Sequence, residues 1–137
     1  MEGEIVMFRI RPAIPEDYYF IKECLEQHGK ELQLTPQTGI MTADEDGFAG
    51  LGIYRLDDTH AEILEIITVD EQDWELAFFI GKAILNKVDL QGAKQVVCYN
   101  ESIQGLLRKL EFLQQESGVW KLNLEGYFTS PCQRKKV

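Results

Sequence analysis

The sequence predicts a mixed α/β fold, in which a central mixed sheet is flanked by helices. Two observations predict it. Short segments with alternating or continuous apolar residues, bounded by turn residues, are typical of strands. Between them lie segments with helical apolar spacing, in the order strand, helix, three strands, helix, strand, helix, strand. A chain of 137 residues with 45% hydrophobic content is long enough for one core. We therefore expect a single domain over residues 8–128 and a polar tail over 129–137.

The first predicted elements are a strand over residues 8–11 and a helix that begins at Glu16. Apolar and charged residues alternate in the strand, and the prolines at 12 and 15 end it. The helix should continue to about His28, with Gly29 as the stop signal. Its apolar face would consist of Phe20, Ile21, Cys24 and Leu25.

A β-hairpin is predicted next, after an irregular segment over residues 30–38. Its strands would cover residues 39–43 and 48–56, and Asp46-Gly47 is a strong signal for the turn between them. A second turn at residues 57–59 leads to a further strand over 61–69. These neighbouring strands should be antiparallel.

From Asp70 to about Leu90 the apolar residues recur at helical spacing, which predicts a long helix with Asp70 as its N-cap. A buried strand over 94–99, a helix over 101–110 and a strand over 120–124 follow. The strands at 61–69 and 94–99 should be parallel, joined by a right-handed crossover, and should diverge at their C-terminal ends. The long helix would bury Leu76, Phe79, Ile80, Ala83, Ile84 and Val88.

The net charge of −9 argues against nucleic acid and anionic membranes as partners, because both attract clustered Lys and Arg. The same charge suits a cationic ligand. No apolar run approaches the ~20 residues of a membrane span, and the N-terminus lacks a signal-peptide pattern. The three cysteines form neither a disulfide framework nor a metal motif, and Cys98 should be a core residue. A reducing cytoplasm is the expected location, and a homodimer is compatible with the sequence.

Two segments resemble the GNAT family of N-acetyltransferases. Phe8-Arg-Ile-Arg-Pro-Ala-Ile-Pro-Glu-Asp17 is similar to its first strand and helix start. Asn100-Glu-Ser-Ile-Gln-Gly-Leu-Leu-Arg-Lys-Leu-Glu-Phe112 resembles its late NxxAxxLYxKLGF segment. The element order matches as well, so the resemblance covers about residues 8 to 125. It implies an acyl-CoA N-acyltransferase fold and acetyl-CoA as the acyl donor.

The family binds the donor through a Q/R-x-x-G-x-G/A loop after the fourth strand, and this loop is altered here. One register places Leu76 at the Q/R position and Phe79 at the middle glycine. The register we prefer aligns the segment from Gln72 to Ala77 with the loop and places Glu75 at the middle glycine. The middle glycine is therefore absent in both registers. The resemblance implies donor contacts from seven residues: Ile66, Ile67, Val69, Gln72, Leu76, Ala77 and Asn100.

The acidic stretch over residues 57–75 argues against phosphate binding, because it holds eight carboxylates and no Lys or Arg. At ~5 Å and an effective dielectric near 20, Glu75 and a phosphate would repel by roughly 3 kcal/mol. The alternative is that Asp70, Glu71, Asp73 and Glu75 only cap a helix whose first turn has replaced the loop. Under either interpretation the helix should begin before Glu75.

The resemblance also implies a catalytic base on the fourth strand, where Glu65 and Glu62 are the candidates. Being three positions apart, they should point to opposite faces of the sheet. We expect Glu65 to be the more buried of the two and to be the better base. The family's general acid is a Tyr, and the matching position here is Leu107, which cannot donate a proton.

Two functions remain open from the sequence. The first is an N-acetyltransferase, slow or impaired, that acts on a cationic small-molecule or peptide amine. The second is a catalytically inactive GNAT-fold module that binds, regulates or assembles. Family prevalence favours the first, and the altered loop and missing acid favour the second.

Overall fold

The computed structural model describes residues 8–31 and 33–128, which form one seven-stranded sheet in the order β1-β2-β3-β4-β5-β7-β6. Among these described strands, only β4 and β5 pair in parallel, and the other neighbours are antiparallel. The predicted mixed sheet is confirmed, and so is the parallel crossover. The strands are β1 Arg9–Pro12, β2 Thr38–Asp44, β3 Phe48–Asp57, β4 His60–Thr68, β5 Gln95–Cys98, β6 Leu113–Gln114 and β7 Trp120–Asn123. The two-residue β6 was not predicted.

Within the described residues, three α-helices cover the sheet: α1 Tyr18–Gln27, α2 Trp74–Leu90 and α3 Gln104–Lys109. Short 3-10 turns at Pro15–Asp17 and Glu101–Ile103 lead into α1 and α3. The described part of the chain contains no helix that is long and apolar enough to cross a bilayer. The predicted polar tail and Cys132 lie outside the described residues.

The sheet separates two apolar clusters. Helix α1 buries Ile21, Cys24 and Leu25 against the first face, together with β3 and β4 side chains. Helices α2 and α3 pack on the second face and form the larger cluster. Within α2 the buried residues of the predicted stripe are Leu76, Ile80, Ile84 and Val88.

Two aromatic residues lie at helix edges instead of in the core, contrary to the prediction. Phe79 of α2 is 41% exposed, and its ring centroid is 6.0 Å from that of Phe8. Phe20 of α1 is 46% exposed and stacks on Phe48 with the centroids 5.9 Å apart. Both residues sit on the flank of an apolar stripe, where an aromatic ring can cover a neighbouring ring and remain partly in water.

Helix α2 begins at Trp74, and its N-cap is Asp73 instead of the predicted Asp70. The Asp73 carboxylate accepts a hydrogen bond from the Leu76 N–H at 3.0 Å. Asp70 instead accepts the N–H of Gln72 at 3.0 Å, which makes a turn before the helix. The helix does start before Glu75, as predicted.

Strands β4 and β5 separate at their C-terminal ends, as predicted. Their pairing covers only His60 to Glu62 against Gln95 to Val97. Strand β4 then continues to Thr68 along β3, while β5 ends at Cys98. A gap between the two strands therefore opens beyond Glu62.

A β-bulge in β4 lies at the start of this gap. Ile53 of β3 pairs with Glu65, but the next residue of β3, Tyr54, pairs with Ile63. Leu64 is therefore the extra residue, and it reverses the alternation of side chains along β4. Glu62 pairs with Arg55, and Glu65 pairs with Ile53. Arg55 and Ile53 are two residues apart in β3, so their side chains share a face. Glu62 and Glu65 therefore lie on that same face. The prediction that they face opposite sides was wrong.

Candidate functional site

The gap between β4 and β5 opens into a cavity of about 420 Å³. The C-terminal half of β4 forms one wall, and the N-terminal turn of α2 forms another. Residues around the start of α3 close the far side with apolar atoms from Ile103 and Leu106, and Lys30 reaches in from the loop after α1. The cavity thus joins an apolar slot to a cluster of charged side chains.

The main chain of β4 supplies polar groups to this gap. The Val69 N–H donates to Ala49 O of the β3 side at 2.8 Å. Because alternate residues of an antiparallel strand bond to the same neighbour, the main-chain groups of Ile67 also face β3. Those of Ile66 and Thr68 face the gap. The predicted contact through Ile66 therefore has the required direction, whereas Ile67 and Val69 are engaged in the sheet.

Thr68 is a cavity residue that the sequence analysis missed. It is 8% exposed, and its hydroxyl donates to Asp70 O at 2.8 Å, which fixes the turn leading to α2. The alternation of strand residues after a bulge would have identified it, but the bulge itself carries no clear sequence signal.

Glu65 is the carboxylate that the structure places in the cavity. The residue is 9% exposed. Its Oε1 accepts a hydrogen bond from Asn100 Nδ2 at 3.1 Å, and its Oε2 lies 3.1 Å from Lys30 Nζ. The expected burial of Glu65 at the sheet opening is confirmed. Both of its oxygens are already paired within the chain.

Asn100 acts as a clamp across the gap. Its Nδ2 also donates to Leu64 O at 3.1 Å, so one amide group contacts the bulge and Glu65 together. Its Oδ1 accepts from the N–H and the hydroxyl of Ser102, which caps the turn before α3. Asn100 was predicted to contact the donor, and here its side chain holds the ends of β4 and β5 at their separation.

Glu62 lies where β4 and β5 are still paired, so it is outside the gap. Its Oε1 accepts a short hydrogen bond from Arg55 Nη2 at 2.6 Å. The pair is on the same face as Glu65 but does not line the cavity. Of the two predicted bases, only Glu65 is adjacent to the gap.

N–H groups in the N-terminal turn of α2 are already hydrogen-bonded to residues of the same turn. Asp73 accepts the Leu76 N–H with its carboxylate and the Ala77 N–H with its main-chain oxygen, the latter at 3.2 Å. Gln72 O accepts the Trp74 N–H at 2.9 Å. The amides predicted to be available at Leu76 and Ala77 are therefore bonded. A phosphate group at this helix end would have to displace a carboxylate.

The position that the resemblance assigns to a general acid is fully buried. Leu107 is 0% exposed and packs in the larger cluster, so no proton donor reaches the gap from there. Tyr99 is 65% exposed at the end of β5. Cys98 is a buried core residue, as predicted. Burial raises the pKa of its thiol to about 11, so the thiol is not a nucleophile near neutral pH.

His28 and Glu71 close the edge of the cavity. His28 Nδ1 donates to Cys24 O at 2.9 Å, and its Nε2 lies 3.3 Å from Glu71 Oε2. The Glu71 side chain is 73% exposed, so this contact adds little stability. Trp74 stands beside it and is 53% exposed. His60, in contrast, is the exposed first residue of β4 and does not line the cavity.

No family model matches this sequence, and no curated protein matches it either. Solved structures do match the fold. A GNAT family N-acetyltransferase (YhbS) from Escherichia coli in complex with CoA superposes with a TM-score of 0.71 at 15% identity, covering 93% of this chain and 87% of that one.

Two further structures agree in fold. The ribosomal-protein-S18-alanine N-acetyltransferase from Escherichia coli gives a TM-score of 0.70 at 13% identity, with coverage of 86% of this chain and 94% of that one. The spermidine/spermine N-acetyltransferase SpeG from Vibrio cholerae, in mutant forms, gives 0.70 at 11% identity, with coverage of 93% and 98%. At these identities the likeness establishes the architecture and not the activity. This chain has the fold of the GNAT N-acetyltransferases.

Proposed function

We propose that this chain is a slow N-acyltransferase that uses an acyl thioester of coenzyme A and a cationic amine. The proposal rests on the gap between β4 and β5 and on the Glu65 carboxylate that lines it. Two of the GNAT neighbours are complexes with CoA, and this supports acetyl-CoA as the donor.

The acyl and pantetheine portion of the donor fits this gap. Main-chain groups of Ile66 and Thr68 face it, and Ile103 and Leu106 supply an apolar opposite wall. The pyrophosphate portion fits poorly, because it would meet the Asp73 carboxylate on the helix amides and the exposed Glu71 nearby. We therefore expect weak donor binding. When bound, the donor would supply an activated acyl group.

Glu65 is the residue we assign as the base. An attacking amine must lose a proton, and a buried carboxylate beside the gap can accept it. Asn100 holds that carboxylate in place. The Leu107 side chain has no proton to return to the leaving thiolate. Since general acid catalysis contributes roughly 10²–10⁴-fold, the rate should be low for this fold.

The acceptor we propose is a cationic amine, either a small molecule or a peptide. Three carboxylates line the cavity, those of Glu65, Glu71 and Asp73, against one lysine, Lys30. This excess of negative charge favours a positively charged partner. One structural neighbour is a spermidine/spermine N-acetyltransferase, and this supports a polyamine as the acceptor to be tried first.

Substitution of the two candidate bases tests the assignment. Glu65→Gln should lower acetyl transfer to a polyamine about 10²-fold or more, because it keeps the side-chain shape and removes the proton acceptor. Glu62→Gln is the matched control and should retain most of the activity. Initial rates of CoA release measure both. Equal rates for the two variants would remove Glu65 from the mechanism, and a parent rate near about 10 s⁻¹ would contradict the slow-enzyme proposal.

The second candidate function is a binding or regulatory module without transferase activity. Two contacts favour it. The Asp73 carboxylate accepts the Leu76 N–H that a phosphate would need, and the Lys30 ammonium pairs with the Glu65 carboxylate that would act as the base. Donor-induced stabilisation separates the two functions, since saturation at about 100 times Kd stabilises a protein by ~2.7 kcal/mol. No shift in melting temperature with millimolar acetyl-CoA or CoA would exclude the enzyme. The homodimer and the cytoplasmic location stay predictions from the sequence.

A further inference from the structure

Lys30 is held at a defined place beside the cavity. It follows Gly29, whose φ is +67°, at the end of α1. The Lys30 N–H donates to Leu25 O at 2.8 Å, and the Gly29 N–H donates to Glu26 O at 3.1 Å. These two bonds form the Schellman arrangement that closes a helix. The backbone of Lys30 is therefore fixed relative to α1, and only its side chain has freedom.

The Lys30 side chain carries a primary amine into the cavity. Its Nζ lies 3.1 Å from Glu65 Oε2, and the side chain is 43% exposed while that of Glu65 is 12% exposed. Lys30 lines both this cavity and the neighbouring one next to α1. The Lys30 amine thus contacts the proposed base and lies beside the gap in which we place the donor. This is the position that an acceptor amine would need.

We propose that Lys30 is a self-acylation site: the chain transfers the acyl group of an acyl-CoA thioester to its own Lys30 Nζ. This inference rests on the proposed acyltransferase function. It adds an acceptor within the chain, and it identifies the acceptor class as a primary alkyl amine.

The reaction balances without any other reactant. The Lys30 ammonium gives one proton to the Glu65 carboxylate, and the neutral nitrogen forms an amide bond with the acyl carbon as the carbon–sulfur bond breaks. CoA departs as the thiolate. The amide nitrogen gives up its second proton to water, and the thiolate regains a proton from water or from Glu65. The products are acyl-Lys30 and CoA thiol.

An internal acceptor suits a site with weak donor binding. Holding two reacting groups together in one molecule is equivalent to a very high local concentration, up to about 10⁵–10⁸ M in well-oriented cases. One slow turnover per chain is then sufficient for complete modification. Acylation also removes the positive charge of Lys30, and this breaks the ion pair with Glu65. The modified side chain would leave the Glu65 carboxylate free for an external amine.

The test follows acetylation of the purified full chain by acetyl-CoA, quantified for each lysine by peptide mass spectrometry. Lys94, an exposed residue just before β5 that lines neither cavity, reports the uncatalysed rate in the same sample. We expect Lys30 to be acetylated at least about 10²-fold faster than Lys94. The rate per chain should stay constant when the protein is diluted at fixed acetyl-CoA, because the acceptor is internal. Equal rates at the two lysines, or a rate that falls with dilution, would overturn the proposal.

Three variants complete the test. Glu65→Gln should reduce the Lys30 rate to near that of Lys94, and Lys30→Arg should remove the modification while keeping a positive charge beside Glu65. Lys94→Arg is the matched control and should leave Lys30 acetylation unchanged. Circular dichroism verifies that each variant is folded, and the dilution series on the parent chain depends on no variant.

Donor binding measured in the same preparation separates this inference from the function on which it rests. A shift in melting temperature with acetyl-CoA, together with an unmodified Lys30, would overturn self-acylation and leave the acyltransferase function intact. If Lys30→Arg then altered turnover of an external amine, Lys30 would be a block in the acceptor site instead. No shift and no acetylation of any amine would overturn both.

Discussion

Asp17 is a nearly buried carboxylate that accepts three hydrogen bonds. Arg11 donates to both of its oxygens, at 2.7 and 3.0 Å, and the Ile14 N–H donates at 2.8 Å. The hydrogen bond from Arg11 is the largest influence, and it lowers the pKa of Asp17 below its ordinary value of 3.8. A bidentate pair of this kind attaches β1 to the turn that starts α1.

Asp17→Asn should destabilise the chain by about 1–3 kcal/mol at neutral pH, because it removes the charged partner of Arg11. The folded-state pKa is lowered, so the stabilisation is complete above the unfolded pKa of 3.8 and is lost as the pH falls below it. The difference between parent and variant should therefore shrink in acid. Urea unfolding at about pH 7 and about pH 3 measures it. Asp58→Asn, at an exposed turn residue, is the control, and a constant difference at both pH values would refute the pKa direction.

The Asp73 carboxylate is the residue most directly opposed to a phosphate at α2, and exposed Glu75 adds charge in the same turn. Asp73→Asn should increase affinity for CoA by about tenfold, equivalent to ~1.4 kcal/mol, because Asn still caps the helix and carries no charge. Glu75→Gly should also increase CoA affinity, by relieving charge and bulk. Titration calorimetry with CoA measures both changes. Weaker CoA binding by both variants would show that the acidic turn is not the obstacle.

At the scale of elements, glycines set how closely α2 approaches the sheet. A Cβ at Gly52 of β3 would lie 2.6 Å from Ile84 Cδ1 and 2.7 Å from Ile80 Cγ2. A Cβ at Gly50 would lie 3.1 Å from Ile80 Cδ1 of α2 and 2.8 Å from Ile67 O of the neighbouring β4. The side chains of α2 therefore rest directly on the backbone of β3, and this contact positions the N-terminal turn of α2 at the cavity.

Gly52→Ala should destabilise the chain by about 1–3 kcal/mol, because α2 must move or its isoleucines must change rotamer. Gly105→Ala is the matched control in α3, where a Cβ would meet nothing within 4 Å. That change should stabilise the chain by roughly 0.5–1 kcal/mol, since Ala is the better helix residue. Chemical denaturation of both variants gives the comparison. A neutral Gly52→Ala would mean that the helix–sheet contact is looser than described.

At the scale of the whole molecule, the net charge of −9 acts together with the acidic entrance of the cavity. Glu71 and Asp73 line the cavity, and Glu45, Asp46 and Asp70 lie around an adjoining one. An excess of one sign of charge around a cleft concentrates oppositely charged ligands there, and salt screens the effect. The acceptor proposed here should therefore respond to ionic strength.

Raising the salt from about 0.1 M to about 1 M shortens the Debye length from about 10 Å to about 3 Å. The KM for a polyamine acceptor should rise several-fold over this range, since the attraction is screened. An uncharged amine such as an aromatic amine is the control, and its KM should change little. Steady-state acetyl transfer measures both. Equal salt responses for the two amines would exclude charge-based recognition.

The sequence by itself determined the element order and most boundaries. The 39–43 and 48–56 hairpin was predictable because the Asp46-Gly47 turn and the strand pattern are local signals. The stripe of α2 was predictable because its spacing repeats over a long helix. The gap between β4 and β5 was also expected, since it comes with the fold that the resemblance implies.

Only the tertiary structure decided the chemistry at the gap. The bulge at Leu64 places Glu62 and Glu65 on one face, and it arises from pairing with β3, which no local pattern encodes. The contact between Lys30 and Glu65 joins residues that are 35 positions apart in sequence. Asp73 was one of four carboxylates near the start of α2, and the path of the chain after Thr68 selected it as the cap. Composition and periodicity are properties of neighbouring residues, whereas a site depends on which distant side chains meet.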